Sequence, residues 1–171
     1  MHYFFRTNLN SKVGLGHFSR IQFFIKLFGN KKCTIVIDKV NKKIKEKYKK
    51  VKILGLYNKE TGFKNQLDDA KKFKSILYNK TNSIIIVDDY RLNFKWEKEL
   101  YNHGKKIICI DDFIDRKHYS DFYINTKPDL ANIPDSKRNI IEKNNKKNCK
   151  LLLGPEYCLI NPILRKKKRT I

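Results

Sequence analysis

The feature that most constrains this chain is a series of short, wholly apolar runs separated by segments long enough to form helices. Residues 84–87 and 107–110 are apolar at every position, and residues 33–37 differ from them only at Thr34. Strands without polar alternation are buried on both faces, as in a parallel sheet with helices on both sides. The sequence therefore predicts an α/β fold built on a parallel sheet.

The individual elements follow from the same pattern. The predicted strands cover residues 3–5, 33–37, 51–56, 84–87, 107–110, 122–124 and 151–153. Apolar positions at helical spacing predict helices over residues 17–28, 39–49, 62–78 and 93–103. The third of these helices is expected to bury one face, made of Phe63, Leu67, Ala70, Phe73, Ile76 and Leu77.

Repeated strand–helix alternation is typical of a doubly wound, Rossmann-like sheet flanked by helices. We predict one such domain over residues 1–164, followed by a basic tail over residues 165–171. Residues 126–150 are polar, contain Pro128 and Pro134, and are predicted to form an irregular surface excursion.

The formal net charge of +22 could indicate a nucleic-acid partner. Lysines are spread through the whole chain, however, and no segment interleaves arginines with aromatic residues as single-strand binders do. We interpret the charge as a solvated surface and do not expect nucleic acid as a partner. A basic nucleic-acid-binding module remains the non-enzymatic alternative.

Location and redox state are predicted from the absence of other signals. No apolar run approaches the roughly 20 residues needed to cross a bilayer, and the first residues do not resemble a signal peptide. We therefore expect a cytoplasmic protein without a membrane partner. Four cysteines occur without a C-x-x-C pair, and Cys33 and Cys109 lie in apolar runs, so buried free thiols are expected rather than a metal site.

Polar residues follow the first predicted strand, where ligands bind in open parallel sheets. Gly14 and Gly16 allow backbone N–H groups to approach a ligand, and the helix that begins there favours a phosphate. His17 at the helix start could accept a proton at neutral pH. Its spacing is equally typical of a helix-capping or surface histidine, and both readings stay open at this point.

Two further acidic groups follow later strands. Asp88, Asp89 and Tyr90 could bind sugar hydroxyls or cap the next helix. Asp111 and Asp112 could hold a metal, but capping or bracing of a loop fits them better because no third ligand is close in sequence. The remaining histidines show no partner pattern and are predicted to lie on the surface: His2, His103 and His118.

Four segments, in this order, resemble a family of UDP-sugar hydrolases of pseudaminic acid biosynthesis, which cleave UDP-2,4-diacetamido-2,4,6-trideoxy-β-L-altropyranose. The resemblance covers almost the whole chain. It rests on Arg6 with residues 14–17 and Arg20, on residues 87–90 with Trp96 and Glu97, on residues 110–112 with Asp121 and Asn125, and on residues 153–159.

The resemblance implies a site and a reaction. The family is related in fold to two-domain GT-B glycosyltransferases, and this chain resembles their N-terminal, sugar-binding domain. His17 matches the catalytic histidine, which activates water against the sugar C1, so that UDP leaves with inversion. No metal or cofactor is implied. The substrate-binding residues implied or expected at this site are Arg6, Asn8, Gly14, Gly16, Arg20, Asp88 and Tyr90.

The sequence also departs from the family. Asn8 stands where aspartate is common, and Asn161 stands where arginine is common. GT-B-like enzymes bind uridine diphosphate largely through a C-terminal domain, so a separate C-terminal UDP-binding half is an expected partner. Without that half, the chain is expected to be a fragment or remnant that is inactive alone. The enzymatic alternative is a GT-B-like glycosyltransferase domain, in which His17 deprotonates an acceptor hydroxyl.

Overall fold

The fold is an all-parallel sheet with helices on both faces. The computed structural model describes residues 1–9, 15–59, 62–77, 82–103 and 105–159. The strands are β1 (His2–Thr7), β2 (Cys33–Ile37), β3 (Lys52–Gly55), β4 (Ser83–Asp88), β5 (Lys106–Ile110), β6 (Phe122–Asn125) and β7 (Lys150–Leu153). The helices are α1 (Leu15–Phe28), α2 (Lys42–Lys47), α3 (Gln66–Leu77), α4 (Phe94–Tyr101) and α5 (Asp135–Asn144).

The strand order places a switch point at the centre of the sheet. The order is β3-β2-β1-β4-β5-β6-β7, and every pair is parallel. From β1 the chain proceeds first to one side, through β2 and β3, and then to the other side, through β4. A crevice forms where strand order reverses in this way, at the carboxyl ends of the strands. In this protein the switch lies between β1 and β4, where Thr7 is in register with Asp88.

Two hydrophobic clusters cover the two faces of the sheet. One, which we call the α3 face, joins Phe4 and Val87 to Phe73 of α3 and Trp96 of α4. The other, the α1 face, joins Phe5 and Ile86 to Ile21 and Phe24 of α1 and to Tyr48. Successive strand residues point to opposite faces, so the side chains of each strand divide between the two clusters. Burial on both sides explains why these strands lack polar alternation.

The predicted fold class is confirmed: the chain is α/β with a Rossmann-like parallel sheet flanked by helices. Two local predictions are wrong. Residues 126–150 include helix α5, which the sequence hides because Ile141 alone among its residues is buried. Leu67 is 49% exposed instead of buried, since it lies on the outer side of α3 while Phe73 and Ala70 fill the core.

Some predictions concern residues outside the described part of the chain. These are Gly14, Asn161, the domain boundary at residue 164 and the basic tail over residues 165–171. Among the described residues, no helix combines the length and the apolar character that crossing a membrane requires.

Candidate functional site

His17 and Asp88 meet at the switch point. The Nδ1 atom of His17, in the first turn of α1, lies 2.7 Å from Oδ1 of Asp88 at the end of β4. Both side chains are almost fully buried. Asp88 also accepts two hydrogen bonds from the guanidinium of Arg20. Since a carboxylate only accepts hydrogen bonds, we assign the donated proton to Nδ1 of His17, which also lies 3.3 Å from Nη2 of Arg20.

Arg20 completes the hydrogen bonding of Asp88. Its Nε and Nη2 atoms each donate to one carboxylate oxygen, at 2.9 Å in both cases. Burial opposes the charge of Arg20, but the bonds to Asp88 outweigh it and raise the pKa of the guanidinium. Arg20 lies one turn after His17 on α1, so one carboxylate holds both side chains. The geometry gives Arg20 a supporting role, and its predicted contact with substrate stays a prediction.

Tyr90 and Phe113 form an aromatic wall beside His17. The rings of His17 and Tyr90 are 4.9 Å apart and edge to face, and Phe113 packs on the other side of Tyr90 at 5.2 Å. The Tyr90 hydroxyl donates to Asp112, and partial burial together with this bond raises the pKa of Tyr90 to about 12. Tyr90 and Phe113 are both exposed, at 38% and 46%. Exposed aromatic rings beside a polar site suit the apolar face of a sugar ring.

Arg6 is expected from the sequence to contact the ligand, and in the structure its guanidinium lies among carboxylates of the protein. Its guanidinium is fully buried on the α3 face and donates two bonds to Asp69, at 3.0 and 2.6 Å, and one to Asp38 at 2.7 Å. A further nitrogen bonds the Thr7 carbonyl and lies 3.7 Å from Asp89. Burial opposes the charge of Arg6, but the surrounding carboxylates raise its pKa. Its burial favours a structural role, while direct substrate contact is left as a prediction.

Arg91, which the sequence analysis missed, completes a buried charge cluster with Arg6, Asp38, Asp69 and Asp89. It makes paired hydrogen bonds to both Asp38 and Asp89, with the shortest at 2.6 Å, and its guanidinium lies over the Phe63 ring. Although burial opposes ionisation of Asp38, its bonds to Arg91 and Arg6 lower its pKa. Asp38 follows β2, and its position at a strand end was the one available signal. Asp69 lies inside a helix, where nothing in the sequence marks it.

His118 is buried, which corrects the prediction of a surface histidine. Its side chain is 1% exposed and lies between Glu97 of α4, 2.8 Å from Nδ1, and Asp111, 3.0 Å from Nε2. Burial disfavours the charged ring, but hydrogen bonds to the two carboxylates raise the pKa of His118 to about 9. His103 is exposed, as predicted, while His2 is part-buried and bonds Thr34. We call His118 with Glu97 and Asp111 the His118 triad. Its members are separated in sequence, so no local pattern marks it.

Two members of the His118 triad, together with the neighbouring Cys109, are ligand types suited to a metal. Cys109 lies 3.2 Å from His118 Nδ1, and donor atoms of Glu97, Cys109 and His118 fall within 4.8 Å of one another. A protonated imidazole between the two carboxylates already donates a hydrogen bond from each ring nitrogen. Together with Arg116, 2.7 Å from Asp111, it balances the negative charge of the buried carboxylates. Desolvation and the nearby carboxylates also raise the pKa of the Cys109 thiol. We therefore interpret this group as an ion triad.

The remaining predicted site residues border the same crevice. Gly16 is exposed in the first turn of α1, and a Cβ added there would meet no atom of the described residues within 4 Å. Asn8 follows β1 and is partly buried. Asp111 braces its own loop, since its Oδ1 accepts the Phe113 N–H at 2.9 Å. The structure thus brings together His17, Arg20, Asp88 and Tyr90 and places Arg6 behind them, on the opposite face.

Fold and site together define a Rossmann-like α/β protein with a buried His–Asp pair at the switch point of its sheet. Comparison with models of known protein families finds no match, and comparison with curated proteins finds none either.

Replacing Arg6 tests the importance of the buried charge cluster. Arg6→Met leaves three carboxylates with too few cations, and breaking a buried ion pair costs about 3–5 kcal/mol of unfolding free energy. Urea denaturation followed by circular dichroism measures this loss. The control is Arg138→Met, which removes an exposed i,i+4 pair with Glu142 and should cost less than about 0.5 kcal/mol. Equal stability of the two variants would contradict the assignment.

The His118 triad predicts a pH dependence of stability. The pKa of His118 is raised from 6.5 in the unfolded chain to about 9 in the folded one. Its contribution, about 3 kcal/mol at most, is therefore fully present below pH 6.5 and is lost as pH rises through 9. Urea unfolding at pH 6.5 and at pH 9.5 should show this loss in the wild type and a smaller one in His118→Gln. Parallel pH profiles would contradict it.

Proposed function

We propose that this chain is the sugar-binding, catalytic domain of a nucleotide-sugar hydrolase that releases UDP from a UDP-linked diacetamido-trideoxy sugar. The observation that carries the proposal is the 2.7 Å contact between His17 Nδ1 and Asp88 Oδ1. On this proposal, the contact orients a nearly buried histidine so that Nε2 is the nitrogen that accepts a proton. The resemblance to the UDP-sugar hydrolases of pseudaminic acid biosynthesis supplies the substrate class.

The proposed reaction is a direct displacement by water. Nε2 of His17 takes a proton from water while the water oxygen bonds to the anomeric carbon of the sugar. The bond between that carbon and the diphosphate oxygen breaks, and UDP leaves with the electron pair. Asp88 stabilises the imidazolium that forms, because its Oδ1 accepts the Nδ1 proton. Free sugar with inverted configuration and UDP are the products.

The surroundings of His17 support binding of such a substrate. The first turn of α1 presents backbone N–H groups that suit a diphosphate, and Gly16 adds no side chain there. Tyr90 and Phe113 offer exposed ring faces for the sugar and its methyl group. On this proposal, the groups that stabilise the leaving group and the base lie on the same helix.

The charge cluster weakens the nucleic-acid alternative. Arg6, Arg20, Arg91 and Arg116 are all bound to carboxylates of the protein itself. Arginines committed in this way cannot also form the paired contacts with phosphate or guanine that specific binders use. Among the described residues, the positive charge that remains is mostly lysine on the surface.

His17→Ala is the direct test of the proposed base. The assay follows UDP release from UDP-2,4-diacetamido-2,4,6-trideoxy-β-L-altropyranose by chromatography. It is run with the chain alone and with the C-terminal UDP-binding half of a related hydrolase added. Loss of a general base lowers kcat by about 100-fold to 10,000-fold. The matched control His103→Ala removes a histidine that is 51% exposed and should keep wild-type turnover.

Two results would count against this reading. Wild-type turnover in His17→Ala would remove the histidine from the chemistry. Transfer of the sugar to an added alcohol, with little free sugar formed, would instead indicate a glycosyltransferase that uses the same base on an acceptor hydroxyl.

Asp88→Asn tests the orientation of His17 separately. The amide has a similar shape but can present an N–H to Nδ1, which favours the ring tautomer with the proton on Nε2. We expect kcat to fall by about 1,000-fold or more, with a small change in KM. Unfolding in urea is measured in parallel, since Arg20 loses its ionic partner. A kcat within threefold of the wild type would rule out Asp88 as the positioning residue.

A further inference from the structure

Thr7, at the end of β1, has a buried hydroxyl that the protein leaves unused. The residue is fully buried, and Oγ1 of Thr7 has no hydrogen-bond partner among the residues that the structure describes. A buried polar atom without a partner destabilises the folded state, because the unfolded chain would bond it to water. Such an atom in a folded protein therefore requires an explanation.

The strand geometry places this hydroxyl beside the His17–Asp88 pair. Phe5 points to the α1 face, and Thr7, two residues later, shares that face. Thr7 is in register with Asp88 on the neighbouring strand. Asp88 lies on the same face as Ile86, which packs in the α1-face cluster. Adjacent strands are about 4.8 Å apart, so the Thr7 side chain stands next to the carboxylate that holds His17.

We propose that Thr7 is a substrate-binding residue whose hydroxyl bonds an oxygen of the sugar nucleotide at the switch point. The inference rests on the proposed function and adds a contact to that site. The hydroxyl can both donate and accept a hydrogen bond, so a sugar hydroxyl, an acetamido oxygen or a phosphate oxygen would satisfy it. Binding would remove the cost of the unpaired group, and a ligand without an oxygen there would leave it unpaired.

This role and a structural role predict opposite effects on stability. If the hydroxyl serves only the ligand, Thr7→Val replaces an unpaired polar atom with a methyl group of the same shape. The urea midpoint should then equal or exceed that of the wild type. If the hydroxyl is bonded within the free protein, the same change lowers the midpoint.

Thr34→Val is the matched control. Thr34 is also a buried strand threonine, but its Oγ1 bonds Nε2 of His2 at 2.8 Å. It is in register with Phe4, three positions from Thr7 towards the amino end of the sheet. Its replacement should lower the urea midpoint and leave substrate binding within twofold of the wild type.

The binding measurement uses UDP-2,4-diacetamido-2,4,6-trideoxy-β-L-altropyranose in isothermal titration with the C-terminal half described above and the full chain carrying His17→Ala, which on the proposal binds the compound without hydrolysing it. The Kd of each variant is compared in that background, and the chain with Thr7 unchanged is the reference. Thr7→Val should raise the Kd about tenfold, as expected for one lost hydrogen bond. Thr7→Ser, which keeps the hydroxyl, should stay within threefold of the wild type. A lowered urea midpoint in Thr7→Val, or an unchanged Kd while the wild type binds, overturns the role of Thr7 alone. A wild type that neither binds nor hydrolyses the substrate overturns the proposed function and the role of Thr7 with it.

Discussion

The rest of the structure depends on one buried cation, the guanidinium of Arg6. It holds Asp69 of α3 and Asp38, directly after β2, and with Arg91 it neutralises Asp89 beyond β4. Three strands therefore end, and one helix begins, at a single charge cluster. Each of its three carboxylates has a cation as a partner. Such clusters cost much to bury and much more to break. In return, the cluster fixes the carboxyl ends of β1, β2 and β4 relative to one another.

The pleat of the strands separates this cluster from the proposed chemistry. Arg6 and Asp89 point to the α3 face, whereas Thr7 and Asp88, each one residue away in sequence, share the α1 face with His17. The charges that brace the sheet thus lie on one face, and the groups offered to a ligand lie on the other. On the proposed function, rigid support of this kind keeps the base and its orienting carboxylate in place before substrate arrives.

The Glu97–His118–Asp111 triad gives the same support one strand further along. It ties α4 to the segment after β5 through a histidine that is 1% exposed. Asp112, which accepts the Tyr90 hydroxyl, and Phe113, which packs on Tyr90 in the aromatic wall, directly follow Asp111 of this triad. On the proposed function, the buried networks therefore support the aromatic wall of Tyr90 and Phe113 beside His17 and Thr7.

The sequence by itself determined the fold class and predicted the end of the sheet at which the candidate site lies. Apolar runs such as 84–87 require burial on both faces, and polar residues after β1, β4 and β5 can only gather at one edge of a parallel sheet. Helix α5 was not predicted, because a single buried residue gives no periodic signal. Tertiary structure alone decided which polar groups pair. Asp69, 63 residues from Arg6, and Glu97, 21 residues from His118, are joined by packing that no local pattern records. Pairing depends on which face each strand residue takes and on which helix covers it, and both are fixed only when the sheet is assembled.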